Sequence, residues 1–82
     1  MNQITIKLFA TLRDHIGERE IRLDLPQNTR VRDLKPILTA RYPAAAASIE
    51  AALVSVNHEY ALPKKQIPAG AEVALFPHVS GG

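Results

Sequence analysis

Residues 4–9, ITIKLF, and residues 72–76, EVALF, both alternate in side-chain character with a period of two, while apolar residues between them recur every three or four positions. Period-two alternation belongs to a strand that buries one face, and the longer period belongs to a helix. Strands at both ends with a helix between them suit an α+β sheet with the helix laid across one face. That arrangement organises the rest of the reading.

In the first strand Ile4, Ile6 and Leu8 share one side, and Thr5, Lys7 and Phe9 share the other. The segment REIRLDL repeats the pattern, with Ile21, Leu23 and Leu25 set against Arg22 and Asp24. The intervening RDHIGER is short and contains Gly17, which predicts a hairpin. Val31, Leu34, Leu38 and Tyr42 mark one helical face, which Pro43 ends. Thr29 offers a hydroxyl near the start of that helix. Pro36 would remove a hydrogen bond from a helix interior, so either the helix starts late, with Asp33 as cap and Pro36 in its first turn, or it is kinked. The late or irregular start is the expectation adopted. AAAASIEAAL reads as a second, shorter helical piece, and VSVNHEYAL as a strand pair around Asn57. Ala69 and Gly70 form a turn before the last strand, in which Val73 and Leu75 alternate with Ala74 and Phe76. The long excursion before that strand allows it to lie parallel to the first.

Composition sets the scale. A chain of 82 residues is one small domain that buries about 60% of its unfolded surface. Twelve of the apolar residues are alanine, so the core must come from Leu, Ile and Val. There is no cysteine, which excludes disulfides, zinc-thiolate sites, iron-sulfur clusters and a catalytic thiol of the chain's own. The opening MNQITIKLFA has no basic segment followed by an apolar block, and no run approaches membrane-spanning length, so a cytoplasmic protein without a membrane partner is expected. A formal net charge of +2 with mixed signs along the chain shows no basic stripe for nucleic acid. His15, His58 and His78 lack metal-ligand spacing, and the acidic residues form no acid/base pair, so no metal site, no bound cofactor and no catalytic machinery are expected in the chain alone.

Parity has a further consequence. If Ile4, Ile6 and Leu8 face the helix, Phe9 faces away from it, and if Val73 and Leu75 point inward, Phe76 points outward. Tyr60, on a neighbouring strand, extends the same area. Two readings follow: the rings cover the edge of the core, or they form a docking patch. The chain then closes on Pro77, His78, Val79, Ser80, Gly81 and Gly82. Pro77 cannot continue a ladder of hydrogen bonds, and the two glycines admit dihedrals and passages closed to other residues. A domain over residues 1–76 with a flexible, slim tail over 77–82 is expected. Its α-carboxylate, with a reference pKa of about 3.5, is a poor electrophile until activated. Ordering six tail residues in a partner would cost on the order of 6–12 kcal/mol. Burial of Phe9, Tyr60 and Phe76 would offset part of that, at roughly 1.5–3 kcal/mol each.

The pieces LFATLRDHIG, VNHEYAL and AGAEVALFPHVSGG, in that order, resemble the small subunit of molybdopterin synthase, a sulfur carrier with the β-grasp fold of ubiquitin. The resemblance covers nearly the whole chain, and its most specific element is the ending. It implies a mixed sheet of about five strands with one main helix. It also implies that Gly82 is adenylated with ATP by an E1-like adenylyltransferase, then converted to a thiocarboxylate with sulfur from a sulfurtransferase donor. The charged carrier would dock on the large subunit of molybdopterin synthase and give its sulfur to cyclic pyranopterin monophosphate. Gly81 would be the slim neighbour, and Phe9, Tyr60, Phe76 and Pro77 would meet the partner. The chain departs from the family's pattern at His78, where a second proline is usual, in NHEY, which lacks a frequent glycine, and in the less acidic AGAEV. Three alternatives stay open: the sulfur carrier of thiamin synthesis, a ubiquitin-like protein modifier, and a plain interaction module.

Overall fold

The computed structural model describes residues 2–77. Five strands and three helices follow the order β1 (Asn2–Leu8), α1 (Ala10–Ile16), β2 (Glu20–Leu25), α2 (Val31–Arg41), α3 (Ala46–Ala51), β3 (Leu53–Val56), β4 (Glu59–Tyr60) and β5 (Glu72–Phe76), with a 3-10 turn at Pro43–Ala45 leading into α3. The strands form one sheet in the order β2-β1-β5-β3-β4. β1 and β5 run parallel in its centre, with Ile6 opposite Val73 and Leu8 opposite Leu75, and the remaining pairs are antiparallel. This mixed sheet with helices on one face is the expected α+β, ubiquitin-like β-grasp architecture. The inward set is the one that parity assigns: Ile4, Ile6, Leu8, Ile21, Leu23, Leu25, Val73 and Leu75 are buried, with Leu34, Leu38 and Ile49 packed over them from the helices.

Two expectations need correction. β1 and β2 pair antiparallel, but a seven-residue helix joins them in place of a tight hairpin. Leu12 is wholly buried in the core and Ile16, one turn on, packs against it, so the helix has an apolar anchor of its own. Gly17 is the left-handed cap of that helix, at φ 86°, and its N–H donates to the Arg13 carbonyl at 2.8 Å. The glycine read as a hairpin turn is a helix terminator.

The second correction concerns α2. It starts at Val31 and not at Asp33, and Pro36 lies inside it. Thr29 does not cap it; the Thr29 hydroxyl donates to the Pro26 carbonyl at 2.6 Å. Asp33 sits in the first turn and accepts from the Arg30 N–H at 3.0 Å. The early start has a tertiary cause. The Val31 N–H donates to the Lys65 carbonyl at 2.9 Å, and the Arg32 N–H to the Pro63 carbonyl at 3.0 Å. Donors that a helix N-terminus leaves without partners are thus satisfied by a distant loop. Pro36 lies with Arg32 and Asp33 on the exposed side, while Val31, Leu34 and Leu38 are buried. The carbonyl that Pro36 cannot serve therefore belongs to a residue in contact with water.

α3 is held by a lysine. Lys35 Nζ donates to the carbonyls of Glu50 and Ala52 at 2.9 and 2.8 Å, where a cation meets the negative end of the helix. Partial burial pulls the Lys35 ammonium below the ordinary lysine pKa, and Glu50 opposes that shift. The β3–β4 turn is a two-residue loop, Asn57–His58, with both residues at positive φ, 50° and 72°. That is the geometry whose twist matches flanking strands. The Asn57 side chain also accepts from the Glu72 N–H at 3.0 Å, tying the turn to β5.

Candidate docking site

The face of the sheet opposite the helices is where the aromatic residues meet. Phe9 follows β1 in an extended conformation, φ −122° and ψ 149°, so it keeps the alternation and points outward with Lys7. Ala10 then turns the chain into α1 with φ 52°, a left-handed conformation that costs an alanine about 1–2 kcal/mol. Burial of Leu12 two residues later holds that turn in place. Phe9 thereby lands on Phe76, with ring centroids 4.9 Å apart and planes 8° from parallel. Tyr60 reaches the other side of Phe76 at 6.4 Å and 60°.

Phe9 is 40% exposed and Tyr60 77%, and none of the three rings belongs to the buried core. The rings lie outside the core, with Phe76 half-buried between the other two. The structure brings Phe9, Tyr60 and Phe76 together as a partly exposed aromatic cluster, with the half-exposed Pro77 directly after it. Beneath the cluster the floor is made of small residues, Ser55 and Ala74, both nearly buried and cross-strand neighbours in the β3–β5 register.

Sequence reasoning missed two members. Leu53, opposite Phe76 in register, is 41% exposed, and Leu62 is 78% exposed. The signal for Leu53 was in the LVSV of β3, where alternation with Val54 and Val56 sends Leu53 and Ser55 outward together. The signal for Leu62 was its spacing of two from Tyr60. Neither had weight until the strand order put β3 beside β5.

A charged rim closes one side. Glu72 stands between Lys7 and His58: Lys7 Nζ lies 3.1 Å from one of its oxygens and His58 Nε2 2.9 Å from the other. Surface pairs of this kind contribute at most about 1 kcal/mol, so their role is to fix positions rather than to hold the fold. Elsewhere His15 Nδ1 shares a hydrogen bond with Ser48 Oγ at 2.8 Å, joining α1 to α3. Among the described residues no three His, Asp or Glu side chains are grouped to hold a metal ion. No described helix is long and apolar enough to cross a membrane.

Val79, Ser80, Gly81 and Gly82, together with His78, lie outside the described residues. What the fold shows is where the chain arrives before them. β5 ends at Phe76, inside the aromatic cluster, and Pro77 follows.

Compared with known proteins, residues 6–82 match the ThiS family. The chain belongs to the ThiS family. One relative, a molybdopterin synthase sulfur carrier subunit from Dictyostelium discoideum, is 36% identical over 99% of this chain and 98% of its own. Another of the same description, from Chlamydomonas reinhardtii, is 32% identical over 98% and 99%. Among solved structures, the crystal structure of SAMP1 from Haloferax volcanii superposes with a TM-score of 0.84 at 33% identity, covering 98% of this chain and 99% of that one. SAMP1 is a small archaeal modifier protein. As a ThiS-family chain, this protein presents its apolar cluster on the open face of the sheet, around the last residue of β5.

Proposed function

We propose that this chain is the sulfur carrier of a molybdopterin synthase. The carrying observation is the placement of a partly exposed aromatic cluster around Phe76, the residue from which the chain leaves the sheet toward Gly81 and Gly82. A body-docking surface next to a slim end lets burial of the rings offset the ordering of residues 77–82. Relatives named as sulfur carrier subunits over nearly their whole length support the same reading.

In this reading the Gly82 carboxylate attacks the α-phosphate of ATP in an E1-like enzyme, forming an acyl adenylate and releasing pyrophosphate. Sulfide-level sulfur delivered by a sulfurtransferase donor then attacks the acyl carbon, releasing AMP and leaving a thiocarboxylate. Phe9, Tyr60, Phe76, Leu53 and Pro77 hold the large subunit while Val79, Ser80 and Gly81 carry the thiocarboxylate to cyclic pyranopterin monophosphate. The chain itself binds no cofactor and supplies no general acid or base; activity belongs to the cytoplasmic complex.

The direct test is deletion of Gly82. Sulfur transfer by the reconstituted complex should be lost while thermal unfolding of the chain is unchanged, and normal product formation by the deletion variant would overturn the assignment. A second reading, as a protein modifier, is favoured by the match to SAMP1. Mass analysis of the C-terminal peptide from native cells separates them: an oxygen replaced by sulfur supports the carrier, and a branch on a lysine supports the modifier.

A further inference from the structure

The two edges of the sheet are built differently. At the β2 edge the outward residues are Glu20, Arg22 and Asp24, all exposed and charged, which guards an edge against an added strand. At the β4 edge Glu59 stands at the hairpin end, but the residues that follow on the open face are Tyr60 and Leu62, at 77% and 78% exposure.

Register fixes where the β4 peptide groups point. Val56 and Glu59 flank the two-residue loop, and the Ala61 N–H donates to the Val54 carbonyl at 2.9 Å. Bonded and non-bonded pairs alternate along an antiparallel ladder. The Ser55–Tyr60 pair between them is therefore the non-bonded kind, and the Tyr60 N–H and C=O point away from β3 into the open edge. Two hollows share the run Tyr60–Leu62 as part of their walls. One is completed by Leu53 and Val54, the other by Val56, Glu59, Lys64 and Lys65. Neither lysine is in an ion pair among the described residues.

We propose that the β4 edge receives an extended strand of the large-subunit partner. The added strand bonds the Tyr60 peptide group, sets alternate apolar side chains into the two hollows, and presents a carboxylate to Lys64 and Lys65. It continues the apolar row that runs from Phe9 and Phe76 through Leu53 to Leu62. That continuity favours the large subunit over a second copy of this chain, whose self-pairing is the competing arrangement. The inference rests on the proposed docking role and makes it specific: the partner is recognised through main-chain hydrogen bonds as well as through the rings.

The test is amide exchange of the labelled chain, free and bound to the large subunit from the same host. Exchange at the Tyr60 N–H should slow about tenfold or more in the complex. A matched pair of variants adds a binding readout. Tyr60→Ala loses the ring and keeps the N–H, whereas Tyr60→Pro loses both, at an edge position where proline does not break the ladder to β3. Tyr60→Pro should bind at least about threefold more weakly than Tyr60→Ala. Unchanged Tyr60 exchange in a complex that Phe76→Arg disrupts would overturn the strand addition and leave the docking role standing. Protection of Tyr60 in the isolated chain, with a shift to dimer mass, would overturn it in favour of self-pairing. Absence of any complex would remove both. Exchange is read on the unaltered chain, so the outcome does not depend on the folding of either variant.

Discussion

Phe76 carries more of the proposed function than any other described residue, and its surroundings separate docking from stability. It stacks on Phe9 outside the core and lies opposite the exposed Leu53. Loss of an aromatic pair costs about 0.5–1.5 kcal/mol beyond area burial, whereas a central interface anchor is worth about 2 kcal/mol or more. Phe76→Arg should therefore weaken large-subunit binding about thirtyfold or more while lowering the melting temperature by less than about 10 °C. Titration calorimetry and a thermal melt on the same preparation check both halves. A collapse of stability with binding in proportion would place Phe76 in the core after all. The outward direction of Phe9 and Phe76 was legible because each continues a strand whose apolar partners are unambiguous. Leu53 and Leu62 were not, since their significance depends on which strand lies next to β5.

At the scale of elements, α2 shows how a distant loop overrides a local rule. Proline in a helix interior costs about 3 kcal/mol, which argued for a helix beginning after Val31. The carbonyls of Pro63 and Lys65, more than thirty residues away, accept the first N–H groups of α2 and fix its start at Val31. Pro36 is thus retained at a cost in stability. Pro36→Ala should raise the unfolding free energy by about 1–3 kcal/mol, less a few tenths for the freer unfolded chain, measured as a higher denaturant midpoint at unchanged slope. A lower midpoint would show that the proline is required by packing. α1 was missed for a different reason. It has seven residues, below the length at which a helix is stable alone, and its only apolar pair is Leu12 and Ile16. Burial of Leu12 beneath the sheet decides its conformation, and periodicity over two turns cannot express that.

For the whole molecule, the expected stability of a chain this size is roughly 4–12 kcal/mol, carried by one core. Leu34, wholly buried at the centre of α2, should be the counterpart of Phe76: Leu34→Ala removes about 2–5 kcal/mol and lowers the melting temperature by at least about 8 °C. Its affinity for the large subunit should stay within about twofold below the transition, because the docking face is on the other side of the sheet. By itself the sequence determined which side of each strand is buried, and hence the sheet-and-helix architecture and the outward phenylalanines, because side-chain alternation is a local property of the backbone. Tertiary structure alone decided where α2 begins, that α1 exists, and that Leu53 and Leu62 join the aromatic cluster on the open face. Those features depend on hydrogen bonds and contacts between segments far apart in the chain, which no local pattern encodes.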